Sequence, residues 1–276
     1  MGILIQDILF VSCAVLYLAL SFHFWRTRWA GKAPDAGLPM RPWERAAAGL
    51  AILLHGGGLY LALLGDPAMR FSFALALSSM FWLAAGLYWL ENLKTRLEAL
   101  QPMVLGLAGL CAVLPLVFSK THVLSHIGSL GFRLHFSAAM LAYSLFALSV
   151  LQAGFLRFAE RKLHHRSVSR GLAALPSILA LEAMLFRMVW LGFALLTFAV
   201  GSGLFFSGEI YGKPFSLDHK TLFAIISWLI FAALLAGRWQ FGWRGRIAQR
   251  WLFAGFAALI LAYVGSRFVL EVILGR

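Results

Sequence analysis

The sequence predicts an all-α, polytopic membrane helix bundle, and three observations carry that expectation. The chain of 276 residues is 61% hydrophobic and 13% charged, with a mean hydropathy of +0.82, whereas a soluble domain carries about 25% charged residues. Its apolar runs are continuous rather than alternating, which is the pattern of spanning helices and not of a barrel. Each run is close to the ~20 residues that cross the hydrocarbon layer. Eight fall at about 3–25, 44–65, 71–93, 100–118, 133–158, 184–206, 220–237 and 250–271, in a single integral membrane domain covering 1–276.

The connections test that count. Loops after the first, third, fifth and seventh spans hold sixteen of the 24 lysines and arginines; the opposite side holds seven, and Arg187 lies at a span end. The positive-inside rule then makes the basic loops cytoplasmic and puts both termini outside. The formal net charge of +13 is accordingly read as topology signal and lipid-headgroup contact, and no nucleic-acid partner is expected. The N-terminal MGILIQD has no cation ahead of its apolar run, so the first span is expected to be retained. Cys13 and Cys111 lie inside apolar runs and form no C-x-x-C, which argues against thiol–disulfide chemistry and against covalent haem attachment to this chain.

In chain order, the first span carries Asp7 and His23, both read as interfacial. The second contains His55-Gly56-Gly57-Gly58 near mid-bilayer. An ionisable group there is costly and turns to the bundle interior. The glycines would admit either a neighbouring helix or a flat ligand. After the fourth span, His122 and His126 are four apart and read as a surface pair. The fifth span opens Arg133-Leu134-His135. The basic loop at about 159–183 carries His164 and His165, read as solvated. The sixth has Glu182 and Arg187 at its inner end, read as a pair or a snorkelling arginine, and Gly201 and Gly203 at its outer end. The seventh opens Asp218-His219-Lys220-Thr221 and leads into Arg238-Trp239 and Gly242-Trp243-Arg244-Gly245-Arg246. The eighth ends with Arg267 and Glu271.

On this topology His135, His219, Arg133, Lys220 and Arg267 converge on one membrane face, with His55 deeper. Haem matches that set. Two neutral imidazoles can ligate iron axially, a flat apolar ring can lie against lipid-facing side chains, and two propionates need Arg or Lys. A zinc site would need further ligands at tetrahedral spacing. A transporter would show broken spans and a mid-membrane carboxylate. Neither G-x-S-x-G nor H-E-x-x-H is present, which removes the common hydrolase signals. From the residues alone, a haem protein and a membrane scaffold of unspecified role both stand.

The stretch from Asp218 to Glu271 resembles the C-terminal part of the cytochrome c assembly superfamily. The CcsA type of that family carries D-P-K-E-T-W, then W-L-I, then G-W-R-G-R before an apolar last span. Asp218, Lys220, Thr221, Ser227-Trp228-Leu229-Ile230 and Gly242-Trp243-Arg244-Gly245-Arg246 match it in order. The fifth span, LHFSAAMLAYSLFALS, and the sixth, FRMVWLGFALLTFAVGSG, are similar to the family's own, with Ala199 where glycine is usual. The likeness covers roughly 130–275, and His55 agrees with a histidine of the YpjD-like branch.

The resemblance implies non-covalent haem b, with iron ligands drawn from His55, His135 and His219 and propionate contacts from Arg133, Lys220 or Arg267. It implies a multi-pass protein of the bacterial inner membrane, an assembly or transport factor in haem trafficking or cytochrome c biogenesis rather than a catalyst. The lipid bilayer, haem and another membrane protein of haem or cytochrome c maturation are the implied partners. The family's tryptophan-rich haem loop, W-G-x-x-W-x-W-D, is replaced here by GEIYGKPFSLDHKT, which holds no tryptophan and has His219 at the proline position. That departure suits the YpjD-like and HemX-like branch. It leaves open a structural or regulatory subunit acting on a haem-pathway partner without haem, and a permease for another amphipathic anion.

Overall fold

The computed structural model describes residues 2–30, 34–35, 38–65, 70–93, 100–118, 120–123, 130–164, 177–205 and 219–273. Among the described residues, eight main helical segments follow one another: α1 (Gly2–Phe24, extended by a π turn Trp25–Trp29), α2 (Pro42–Leu64), α3 (Phe73–Asn92), α4 (Gln101–Val117), α5 (Leu130–His164), α6 (Ile178–Phe205), α7 (His219–Phe241) and α8 (Gly245–Ile260). The last continues through π turns at Leu261–Gly265 and Val269–Ile273 that flank Ser266–Phe268. Seven of these segments are long and apolar enough to cross a membrane, and α4 is a shorter apolar helix of 17 residues. At 1.5 Å per residue α4 is about 25 Å long, slightly under the hydrocarbon thickness. The chain is a multi-pass membrane helix bundle.

The helices run past the expected boundaries. α5 reaches His164, α6 starts at Ile178 rather than near 184, and α8 starts at Gly245 rather than near 250. Hydropathy marks only the stretch inside hydrocarbon. A helix satisfies its own backbone, so it can continue into the headgroup layer with polar side chains.

In the first half of the bundle, α1 lies between α2 and α4, antiparallel to both. Small residues permit this closeness. A Cβ on Gly58 would stand 3.3 Å from the Phe10 ring, and one on Gly109 would stand 2.9 Å from Leu18 Cγ. Ser21 donates to the Pro102 carbonyl at 2.6 Å. α3 is pinned to α2 by two indoles: Trp82 donates to the Ile52 carbonyl (2.9 Å) and Trp89 to the Arg45 carbonyl (3.1 Å). Gly56 and Gly49 make room for those rings. Lipid is as apolar as leucine, so such close contacts and interhelical hydrogen bonds, rather than water exclusion, hold spanning helices together.

The second half packs around Phe146 and Phe231, stacked with centroids 3.8 Å apart and fully buried. Gly192 and Gly255 border these rings, each too close to them to accept a Cβ without a shift. Further ties are Tyr143 to the Leu259 carbonyl (2.7 Å), Gln152 to the Leu181 carbonyl (2.7 Å) and Ser227 to the Gly255 carbonyl (2.9 Å). Ser144, donating to the Met80 carbonyl at 3.0 Å, joins the halves through α3 and α5.

The Gly-Trp-Arg-Gly turn between α7 and α8 needs both glycines, at φ +64° for Gly242 and +52° for Gly245, a region costly for residues with a Cβ. Trp243 folds back onto Gly237, where a Cβ would collide with the indole, and stacks on Trp251. Glu182 of α6 accepts from the Gly245 amide at 2.9 Å, placing a carboxylate on the positive end of α8. Of the two expected arrangements, a Glu182–Arg187 pair or a snorkelling arginine, Glu182 makes this cap instead of the pair and Arg187 is exposed.

At the other end, Arg70–Phe71 pairs antiparallel with His122–Val123. This short ladder ties the α2–α3 connection to the α4–α5 connection.

Candidate functional site

His135 stands in the second turn of α5, and its ring faces α6. Nδ1 lies 2.9 Å from the hydroxyl of Ser202. That hydroxyl donates to the Ala199 carbonyl at 3.1 Å, so its oxygen accepts from His135 Nδ1–H. In the neutral ring this puts the lone pair on Nε2, the tautomer an iron ligand needs, fixed by a neighbouring hydrogen bond. Gly203 packs against the same ring, with a Cβ there falling 3.4 Å from His135 Cε1. The side chain is half-buried at the surface of the helix pair.

His219 is the first residue of α7 and is exposed at the same end of the bundle. Arg133, two residues before His135, is exposed, and Lys220 is half-buried. Arg267 sits on the last segment, between its two π turns. Its Nε is buried and meets no hydrogen-bond partner among the described residues. Four residues on, Glu271 is 3% exposed and accepts from the Phe73 amide at 3.2 Å. It shares the N-terminus of α3 with Ser72, which accepts from the Leu75 amide, so that helix end is doubly capped. His135, His219, Arg133, Lys220 and Arg267 lie at one end of α5, α7 and α8. An oriented imidazole, a second exposed imidazole and a guanidinium with an orphaned buried nitrogen fit the needs of a haem with its propionates.

His55 is elsewhere. It is fully buried between α1, α2 and α3, with Nε2 2.8 Å from the Ser78 hydroxyl and the rings of Phe10 and Tyr17 edge-on at 6.0 and 5.7 Å between centroids. The following glycines receive Trp82, Leu9 and Phe10 rather than a flat ligand. Its Nδ1 and the Tyr17 hydroxyl have no partner among the described residues.

Sequence reasoning missed a cluster at the opposite end. His23, read as interfacial, donates to Glu44 Oε1 at 2.8 Å. Arg28 reaches the same carboxylate with Nη2 at 2.9 Å and Nη1 at 3.4 Å, and the Arg41 amide donates to it at 2.7 Å. Glu44 is 0% and Arg28 3% exposed. Asp35 pairs with Arg41 at 3.0 Å. One signal was available: Pro42 followed by Glu44 marks the first turn of a helix, where an acidic side chain reaches back to the preceding amide. Nothing in the sequence pairs it with Arg28.

Several expectations fall outside the described residues: the His126 half of the His122–His126 pair, His165, the 165–176 stretch, and the tryptophan-free loop with Lys213 and Asp218. Among the described residues no three His, Cys, Asp or Glu side chains form a metal-binding group.

Comparison with known proteins agrees with this architecture. The inner membrane protein YpjD of Escherichia coli strain K12 is 25% identical over 237 residues, which cover 84% of this chain and 89% of YpjD. The cytochrome c biogenesis protein CcsA of Prochlorococcus marinus strain MIT 9312 is 30% identical over 155 residues, 49% of this chain and 50% of its own. CcsA of Thermosynechococcus vestitus is 38% identical over 85 residues, 31% of this chain and 27% of that protein. This chain therefore spans half or less of the CcsA relatives named here. No solved structure matches. The family model for cytochrome c assembly proteins matches residues 43–274, so the chain belongs to the cytochrome c assembly protein family.

Proposed function

We propose that this protein of the bacterial inner membrane handles haem during cytochrome c maturation, holding haem b non-covalently at the end of the bundle where α5, α7 and α8 meet. His135 and His219 are the iron ligands in this reading, and Arg133, Lys220 and Arg267 take the propionates. The carrying observation is the Ser202-oriented ring of His135, whose hydrogen bond directs the lone pair to Nε2. The haem would supply the redox-active iron. The chain's own residues would orient the imidazole through Ser202 and neutralise the carboxylates. His55 is assigned to holding α1, α2 and α3 together. By the positive-inside rule the haem end is periplasmic and the 165–176 stretch cytoplasmic.

The test is the absorption spectrum of the detergent-purified protein, oxidised and dithionite-reduced, with haem supplied if none co-purifies. A Soret band with sharp low-spin α and β bands is expected. His135→Ala and His219→Ala should each reduce it, whereas His164→Ala should not. Equal haem content in the three variants refutes the ligand assignment. A second reading, a membrane subunit that keeps the fold without haem and acts through a partner, rests on the tryptophan-free 208–221 sequence; absence of any Soret band with haem added would favour it. A periplasm-only reporter active when fused at 165–176 would overturn the orientation.

A further inference from the structure

The end of the bundle opposite His135 carries two adjoining cavities that the haem reading does not use. One, of about 410 Å³, is lined by Phe22, His23, Arg26, Thr27, Ala30 and Pro34, among others. The other, of about 350 Å³, is lined chiefly by Leu18, Phe22, Trp25, Trp29, Pro102 and Met103. Phe22 borders both, so a largely apolar cavity that carries His23, Arg26 and Thr27 and a second, aromatic one meet at a single ring.

Charge around the first chamber is unbalanced. Glu44 is engaged by Arg28 and His23, and Asp35 by Arg41. Arg26 is exposed, forms no ion pair among the described residues, and extends over the Phe22 ring at 5.8 Å. A cation therefore stands at the mouth of a cavity whose neighbouring carboxylates are already compensated. The depth is that of the headgroup layer: α1 has just completed its span, and exposed Trp25 and Trp43 mark the aromatic belt. Above, α1 presents Val11, Val15 and Leu18 to lipid, a track along which an acyl chain can run.

We propose that this double cavity binds an anionic phospholipid, the phosphodiester resting against Arg26 and His23 and one acyl chain following the Phe22–Trp25–Met103 groove. A lipid explains both chambers at once. A free phosphate would use only the first, and a zwitterionic lipid would bring its own cation to a site that already has a surplus. The proposal does not depend on haem binding.

Native mass spectrometry of the full chain, reconstituted with phosphatidylglycerol or phosphatidylcholine and extracted into detergent, tests this. Phosphatidylglycerol should remain bound in preference to phosphatidylcholine. Arg26→Gln, which leaves the Arg28–Glu44 pair intact, should lower its retention about fivefold, the loss expected for one headgroup-contacting cation. Arg246→Gln, an exposed arginine on α8, should leave it unchanged. Equal retention of the two lipids, equal loss in both variants, no loss in Arg26→Gln, or displacement by glycerol phosphate as readily as by lipid would each overturn the assignment. Thermal unfolding of both variants at the wild-type midpoint confirms that the fold is intact.

Discussion

Replacing Glu44 by Gln tests the buried network with little change of shape. The carboxylate accepts four hydrogen bonds: from His23 (2.8 Å) and Arg28 Nη1 (3.4 Å) on Oε1, and from Arg28 Nη2 (2.9 Å) and the Arg41 amide (2.7 Å) on Oε2. A carboxylate only accepts, whereas an amide turns an NH2 toward two of those donors. The charge that compensates Arg28, at 3% exposure, is lost as well. Breaking one side of a buried ion pair costs about 3–5 kcal/mol, because the remaining charge stays buried without its counter-ion. Arg28→Met should cost a similar amount for the converse reason. The double variant should fall well short of the sum, since neither charge is then stranded; partners in one network couple by about 0.5–3 kcal/mol. Unfolding by SDS titration in mixed micelles, followed by tryptophan fluorescence, measures all three losses. A double variant whose loss equals the sum within about 0.5 kcal/mol would refute the idea that the pair acts as a unit.

Three further outcomes follow from other contacts. Ser202→Ala removes the acceptor that orients His135, so haem retention should fall while stability changes by less than about 1.5 kcal/mol; an unchanged Soret intensity would show that the tautomer argument is wrong. Gly255→Val places side-chain atoms against Phe231 and Ile230, where a Cβ alone would already stand 2.9 Å from the Phe231 ring, and should cost about 1–3 kcal/mol by overpacking, read in the same SDS titration; a neutral result would mean the Phe146–Phe231 stack yields freely. Tyr143→Phe removes the hydroxyl from the Leu259 carbonyl just before the π turn, and a loss near 1 kcal/mol is expected; hydrogen exchange of α8 should rise beyond residue 259 if that bond holds the turn, and stay flat if it does not.

What was legible in the sequence was whatever repeats along one helix. Apolar run length marked the seven helices long enough to cross a membrane and the shorter α4, because membrane thickness acts on each segment separately. Pairings between segments were not legible. His23 and Glu44 are 21 positions apart and Arg28 and Glu44 are 16 apart, and no local rule joins them. His55 shows the same limit. Its depth and glycines were equally compatible with a ligand and with a packed helix junction, and the structure puts Ser78, Phe10, Tyr17 and Trp82 around it. Ser202 escaped notice because a serine near a helix end has no sequence signature. Its importance arises only when α5 and α6 bring it to His135.

The two ends of the bundle manage charge in opposite ways. At the Glu44 end the buried arginine and carboxylate satisfy one another within the protein, and the helices there are held in a fixed relation by that pairing and by the Trp82 and Trp89 bonds. At the His135 end Glu271 accepts from the Phe73 amide at the start of α3, and Arg267 stands four residues before it. Arg267 also keeps a buried Nε that the described residues leave unsatisfied. A buried donor without an acceptor costs about 1–3 kcal/mol, and such a cost persists where an external group relieves it. On the proposal of bound haem, a propionate would give an acceptor to the Arg267 guanidinium while His135 Nε2 would hold the iron. On that proposal Arg267→Gln, at a guanidinium whose Nε is buried, is a sharper probe of propionate binding than a change at exposed Arg133. Arg267→Gln should weaken haem retention more than Arg133→Gln in titrations of the purified protein; the reverse order would place the propionates on α5 instead.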